Sequence, residues 1–313
     1  MPKWKSNKIM RLVKSKYEII PQEKGLEGIY KNIEKAGKLC YASEPIEGKA
    51  KDFVDKLIKS NHLSVLEQGT VYLKLDCTPK YDSDNRPLKY QKDLSHYKDN
   101  PYSIHCYGKN NCENMEYVTS NMRVIYENGW ENDLQYLCEP TEYHAKRTSV
   151  LFICDRGISH ELVRHRKFSF SQQSQRYCRY SNDKFGNEIS FIKPHWLNTP
   201  LGRYIEDDEC NIWCEEDNDF NFNNLDTVER VYLSSLLDSE ADYMVMLNEK
   251  AKPEDARGVL PNATATKIIM TGFIEDWKHF IFLRAEDGTG KAHPDMKVLA
   301  EPLMNEFKQL NLI

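Results

Sequence analysis

The chain has no run of about eighteen apolar residues, so it offers no candidate membrane-spanning helix. Its opening stretch, MPKWKSNKIMRLVKSKYEII, is basic but lacks an apolar h-region, which argues against a secretory signal and for a soluble, cytoplasmic protein. Gly-x-Gly-x-x-Gly and Gly-x-x-x-x-Gly-Lys-Ser/Thr are both missing, so neither standard phosphate loop is available to hold a nucleotide. The nine cysteines contain no Cys-x-x-Cys, and Cys106/Cys112 and Cys210/Cys214 have no matching histidine pair. Scattered, reduced thiols and no metal are the expectation. Strong charge of one sign is absent too, and a net charge of −5 disfavours bulk electrostatic binding of nucleic acid.

What is present suffices for a buried core: 40% of the residues are hydrophobic and 11% aromatic. Residues 26–41 and 49–62 read as helices; in the second, Phe53, Val54, Leu57 and Ile58 recur at helical spacing. TVYLKLD (70–76) alternates, placing Val71, Leu73 and Leu75 on one face of a strand. RTSVLFICD (147–155) has the length and flanks of a buried strand, Gly157 breaks it, and 158–166 read as a helix. Asp226 and Glu229 make a capping-box pattern at the head of a long helix striped by Val228, Tyr232, Leu236, Tyr243 and Leu247. Pro253 suits the first position of a short helix that stops before Pro261. TATKIIMTG (264–272) reads as a strand, 275–285 as a helix with an acidic first turn, and the segment from His293 as a helix kinked at Pro302.

Two stretches break this pattern. Residues at about 77–140 and 183–225 are polar or acidic and read as insertions with little regular core. Some helical character is expected in 114–130, and 206–224 reads as a solvated acidic surface. The expected architecture is α+β, one domain over 1–313 with few strands and long helices packed on them.

The chemistry concentrates in RHRKFSFSQQSQRY, residues 164–177. Arginine carries a planar fork of donors that matches phosphate oxygens. Arg156, Arg164, Arg166 and Arg176 together exceed what one mononucleotide needs. Serine and glutamine amides and hydroxyls both donate and accept, which suits a base or a sugar hydroxyl. The segment therefore reads as a nucleotide site, although two of its residues, Phe168 and Phe170, are most simply core.

The string Arg-His-Arg-x-x-Ser-x-Ser-Gln-x-Ser-x-Arg-Tyr, matched by Arg164 through Tyr177, resembles the signature of the flavin-dependent thymidylate synthases. NHLSVLEQ (61–68), SHELVRHR, ARGVLPNATATKIIMTG and WKHFIFLRA resemble further segments of that family. The resemblance implies a central mixed or antiparallel sheet flanked by long helices, carrying the two insertions. It implies methylation of dUMP to dTMP, with methylenetetrahydrofolate as carbon donor, NADPH as reductant and FAD as hydride carrier. Homotetramers with active sites shared between subunits are implied as well.

Carried over by position, Arg164, His165, Arg166, Ser64 and His279 would contact FAD. Arg156, Arg176 and Arg257 would hold the dUMP phosphate. Glu161, Gln172, Ser174 and Arg284 would read sugar and base, with Arg284 stabilising charge on the pyrimidine and so, with Ser174, in a catalytic position. His62 and Glu67 would lie at the edge of the site. Phe273, Glu275, Val65, Leu66 and Gln68 depart from common family residues, Phe273 standing where many relatives have Asn.

Ser174 lacks a base at a useful spacing, so a binding role is expected in place of a nucleophile. Cys178 lies near Arg176 and Arg179, but a structural thiol is the simpler reading. Two other functions compete. One keeps the flavin and folate but transfers a hydroxymethyl group to a pyrimidine nucleotide. The other is a non-catalytic nucleotide- or RNA-binding protein, against which the net negative charge argues.

Overall fold

The computed structural model describes residues 8–78, 93–108, 114–181 and 186–313. Two strands, β1 (Lys8–Val13) and β2 (Lys16–Ile20), precede helices α1 (Gly25–Cys40) and α2 (Ala50–Lys59). A 3-10 turn over Leu63–Gln68 leads into β3 (Thr70–Asp76), followed by β4 (Ile104–Tyr107), β5 (Met115–Asn121) and α3 (Met122–Glu127). Next come β6 (Arg147–Asp155), α4 (Arg156–Leu162), β7 (Ser169–Gln172), β8 (Ile189–Ile192), β9 (Gly202–Glu206) and β10 (Ile212–Cys214). The chain continues through α5 (Thr227–Asn248), α6 (Pro253–Ala256), β11 (Ala265–Phe273), α7 (Ile274–Arg284) and α8 (Pro294–Gln309).

The central sheet has the order β2-β6-β11-β7, with every pairing antiparallel. Successive side chains of a strand point to opposite faces. Val150, Phe152 and Cys154 of β6 and Ile268 and Met270 of β11 therefore share one core with Trp277, Phe280, Leu299, Leu303 and Phe307 of α7 and α8. Ile269 faces the other way and packs with Ile20 and Ala36, so α1 covers part of the second face. Burying both faces explains why the two central strands read as near-continuous apolar runs.

Four predicted boundaries hold closely. β3 and β6 match their expected spans, β11 is shifted by one residue, and α5 carries the full capping box: Asp226 accepts from Glu229 N, and Glu229 accepts from Asp226 N. Pro253 opens α6, and Pro302 lies inside α8. The helix expected over 158–166 starts earlier, at Arg156, because Asp155 Oδ1 accepts from Ile158 N at 2.7 Å and caps it there. It ends at Leu162, so Arg164–Lys167 leave the helix as turns before β7 begins.

The two insertions are more regular than the sequence suggests. β5 pairs with β3 and β4 in an antiparallel sheet of order β3-β5-β4, packed beneath α1 and α2. The helical character expected in 114–130 is found in α3 (Met122–Glu127), whereas Met115–Asn121 of the same stretch is strand β5. Its Thr119, Ser120 and Asn121 are buried but look like loop residues in sequence. Ser120 Oγ is 2.8 Å from Ser103 Oγ, and Asn121 Oδ1 caps α3 by accepting from Val124 N at 3.1 Å.

The second insertion supplies β8, β9 and β10 to a mixed sheet of order β10-β9-β1-β8, with β1·β8 parallel. Its inner face packs Met10, Leu12, Phe191 and Tyr204 against Leu233, Leu237 and Tyr243 of α5. Its acidic residues are not simply solvated. Glu188 binds both Arg11 Nε (2.5 Å) and Arg203 Nε (3.0 Å), and Glu216 binds Arg11 Nη1 (2.8 Å). Arg11 and Arg203 stand directly opposite each other across β1 and β9, so Glu188 offsets a like-charge pair. The basic side chain of Arg11 in β1 is thus met by two carboxylates of the second insertion.

Residues 79–92, 109–113 and 182–185, which include Cys112 and parts of both insertions, lie outside the described residues, as do residues 1–7. No described helix is long and apolar enough to cross a membrane, and no group of His, Cys, Asp or Glu suited to a metal ion occurs among the described residues.

Candidate active site

α4 and β7 form a helix–strand pair whose two ends carry different chemistry. α4 has seven residues, about 10 Å of rise, and runs from Arg156 to the turn at Arg164. β7 then returns from Ser169 to Gln172. Residues near Arg164 thus gather at one end, and residues near Arg156 and Gln172 at the other.

At the first end, Arg284 closes α7, where the carbonyl end of the helix favours a cation. Its Nη1 donates to Glu161 Oε2 at 2.7 Å, and its Nε donates to His165 Nε2 at 3.0 Å. Because Nε2 accepts from an obligate donor, the neutral ring carries its proton on Nδ1; this tautomer is assigned from that bond. Burial, then the charges of Arg284 and His279, push the His165 pKa down to about 4, so the ring is neutral at pH 7. Phe280 packs edge-on to His165 with centroids 5.0 Å apart.

Arg164 and Arg166 are exposed beside this triad, and among the described residues neither guanidinium has a partner. Lys167 differs, lying 3.4 Å from Asp276. His279 is exposed on α7.

At the other end, Gln172 Nε2 donates to Ser159 Oγ at 2.9 Å and to Thr266 Oγ1 at 3.3 Å. Arg156 Nη1 reaches the same Thr266 Oγ1 at 3.5 Å. Arg156 N donates to the Asn262 carbonyl at 2.8 Å, which sets the start of α4 beside the loop that follows Arg257; burial draws the Arg156 pKa down, and the charge of Arg257 adds to this. Arg176 Nε is 3.5 Å from Glu254 Oε2, while Arg257 Nε donates to the Glu254 backbone carbonyl at 3.2 Å. Arg156, Arg176 and Arg257 thus converge around the first turns of α4 and α6.

Ser174 lies two residues beyond Gln172, past the end of β7. Its N–H donates to the Cys40 carbonyl at 3.0 Å, and its Oγ accepts from Arg176 N at 3.2 Å. Its carbonyl accepts from Cys178 N at 3.0 Å. Among the described residues no side-chain base bonds its hydroxyl, so the geometry is that of a turn-forming serine and not of an activated nucleophile. Cys178 is fully buried, Phe168 is buried, and Phe170 is partly buried against the same core.

Ser64 is exposed on the 3-10 turn and forms no hydrogen bond to the signature residues within the chain. His62 is exposed, and Glu67 is paired with Arg123 at 2.5 Å. Gln68 is buried: its Oε1 accepts from Thr271 Oγ1, whereas its Nε2 has no partner. The sequence reading missed Ser159, Thr266 and Glu254, which hold Gln172, Arg156 and the two outer arginines. No motif flags Ser159 or Thr266, since their role depends on register between α4, β7 and β11. Glu254 was visible as a first-turn acid of α6.

A family model described as "Thymidylate synthase complementing protein" matches residues 110–311. The flavin-dependent thymidylate synthase of Corynebacterium efficiens is 32% identical over 170 residues, which are 53% of this chain and 59% of the relative. That of Mycobacterium tuberculosis is 31% identical over 159 residues, covering 50% of this chain and 54% of the relative. The chain thus spans little more than half the length of the curated relatives it matches.

Among solved structures, the UMP/dUMP methylase PolB from Streptomyces cacaoi, bound with 5-Br dUMP, aligns over 96% of this chain and 93% of that one, at 16% identity and a TM-score of 0.42. Thymidylate synthase X from Helicobacter pylori, with FAD and dUMP, aligns over 52% and 70% at 20% identity and a TM-score of 0.34. Both likenesses are too low to support any conclusion about this chain. The family model, in contrast, covers well over half of the sequence and includes the entire signature, and the chain belongs to the thymidylate synthase complementing protein family.

Proposed function

We propose that the protein is a flavin-dependent thymidylate synthase, converting dUMP to dTMP with methylenetetrahydrofolate as one-carbon donor, NADPH as reductant and FAD as hydride carrier. The observation that carries this reading is the Glu161–Arg284–His165 chain of bonds, set beside two guanidinium groups that have no partner among the described residues. Arg164 and Arg166 fit the pyrophosphate of a flavin dinucleotide, since each offers a bidentate fork to phosphate oxygens. The flavin, when bound, supplies the hydride chemistry.

The chain's own groups bind, orient and polarise. Arg284 is fixed by Glu161 and His165, so its charge can stand beside a pyrimidine carbonyl and stabilise negative charge moving onto the ring. Neutral His165 presents an Nδ1–H donor to the flavin. Arg156, Arg176 and Arg257 supply the cradle for the nucleotide phosphate, Gln172 reads the nucleotide, and Ser174 supports the Arg176 turn. His279 and Ser64 would border the flavin.

Within one chain the phosphate cradle and the Arg284 end lie on opposite ends of α4. In the proposed homotetramer each active site would be shared between subunits, one supplying the phosphate cradle and another the Arg284 end. The reading treats residues 1–313 as one cytoplasmic catalytic domain acting on small molecules, not on nucleic acid or membranes. Tritium release from 5-tritiated dUMP tests it. Release should require FAD, NADPH and methylenetetrahydrofolate together and stop when any one is omitted. Release that persists without added or bound flavin would refute the proposal.

A further inference from the structure

We infer that a cleft on the reverse face of the central sheet binds a nucleoside monophosphate through Lys16, Lys267 and Gln173. The site is separate from the phosphate cradle, and the inference goes beyond the proposed activity. Side chains alternate along a strand, so Gln172 turns toward α4 while Gln173, just past the end of β7, turns the other way. Gln173 N donates to the Lys267 carbonyl at 2.8 Å, which continues the ladder between β7 and β11. Lys267 stands opposite Ile153, and Ile153 stands opposite Lys16. Lys16, Ile153, Lys267 and Gln173 therefore form one row across the sheet, about 14 Å long at the usual spacing of adjacent strands.

This row floors a cleft of about 1400 Å³, walled by Leu39 of α1 and by Leu12 of β1. Gln173 lines the cleft and is only 8% exposed, yet its side-chain amide has no hydrogen-bond partner among the described residues. A buried amide left in that state carries a desolvation penalty until a ligand bonds it. It offers a donor and an acceptor side by side, the pattern that the edge of a nucleobase returns. Leu151 and Ile153 supply an apolar surface for the flat face of the base.

The charge of the cleft points to the other half of the ligand. Arg11 is held by Glu188 and Glu216, and Lys35 lies 3.5 Å from Glu18. Lys14, Lys16 and Lys267 also line the cleft and have no ion-pair partner among the described residues, and of the lining acids only Glu44 is left over. Three cations against one carboxylate leave a surplus of two, which matches the dianion of a phosphate monoester. Lysine is a compact point charge that suits phosphate, whereas no free guanidinium fork is present to select a carboxylate. With the base edge at Gln173, the phosphate falls over Ile153, between Lys267 and Lys16.

Calorimetric titration tests the site on the full-length protein carrying Arg176→Ala and Arg257→Ala, which removes the phosphate cradle as a competing site. AMP and dTMP are the probes, with adenosine and thymidine as controls. At least one monophosphate should bind saturably, about tenfold or more tighter than its own nucleoside. Adding Lys267→Met or Lys16→Met should each weaken that monophosphate about tenfold, and adding Gln173→Leu about fivefold. All three should melt near the temperature of their parent, because both lysines are exposed and the Gln173 side chain has no bond to lose. Absence of saturable binding by either monophosphate would overturn the inference. So would a nucleoside that binds as tightly as its phosphate, or an affinity left unchanged by Lys267→Met or by Gln173→Leu.

Discussion

If His165 is held neutral by burial and by Arg284, the protein should lose stability on mild acidification in a way that depends on this one ring. Its folded pKa of about 4 lies below the ordinary histidine value of 6.5. As pH falls below 6.5 the unfolded chain takes up a proton that the folded ring refuses, so stability drops until pH reaches the folded pKa and then levels off. Integrated between pH 7.5 and 5, the loss assignable to His165 is about 2 kcal/mol. The assay is urea unfolding at both pH values, at matched protein concentration because an oligomer's stability depends on it. The comparison is wild type against His165→Asn, so that the other titrating groups largely cancel. His165→Asn should lose about 2 kcal/mol less than wild type over that range. Equal losses in the two proteins would refute the reasoning and place His165 in an ordinary, solvated environment.

Three other outcomes follow from the same contacts. Arg257→Ala and Arg176→Ala should each raise KM for dUMP by roughly ten- to a hundredfold, the value of a lost charge-assisted phosphate bond. Steady-state kinetics that show kcat alone falling would contradict the cradle. Ser174→Ala should reduce turnover of dUMP without abolishing it; complete loss of turnover with unchanged dUMP binding would contradict the turn-forming role given to its Oγ. Glu188→Ala should leave Arg11 and Arg203 facing each other and cost about 1–3 kcal/mol in urea unfolding, and a change below a few tenths would show the ion-pair ladder to be energetically idle.

Legibility in the sequence followed the physical origin of each element. β6 was readable because burial leaves the uninterrupted apolar run Val150–Cys154, β11 because Ile268–Met270 form a shorter one, and α5 because its capping box is a local pattern. β5 was not, because Thr119, Ser120 and Asn121 are buried by virtue of hydrogen bonds that no periodicity records. β1 and the acidic second insertion were opaque for a related reason: their charges are spent on each other across sequence separations of 198 and 177 residues.

The site was legible as a set of residue types but not as a layout. The family resemblance named His165, Arg284 and Glu161, yet nothing in it says that Glu161 binds Arg284. Nor does it say that Arg156 and Arg176 sit at the far end of α4 from Arg164. Those facts depend on where α4 stops and how β7 pairs with β11.

The most direct test of the account is complementation between its two half-sites. Arg284→Ala and Arg257→Ala damage opposite ends of α4, and each variant alone should release little tritium from 5-tritiated dUMP. Co-expression of the two, with purification of the mixed oligomers, should restore a measurable fraction of wild-type release, because some sites then draw an intact end from each chain. Mixed oligomers as inactive as either parent would contradict a site shared between subunits and, with it, the reading of these arginines as two halves of one nucleotide grip.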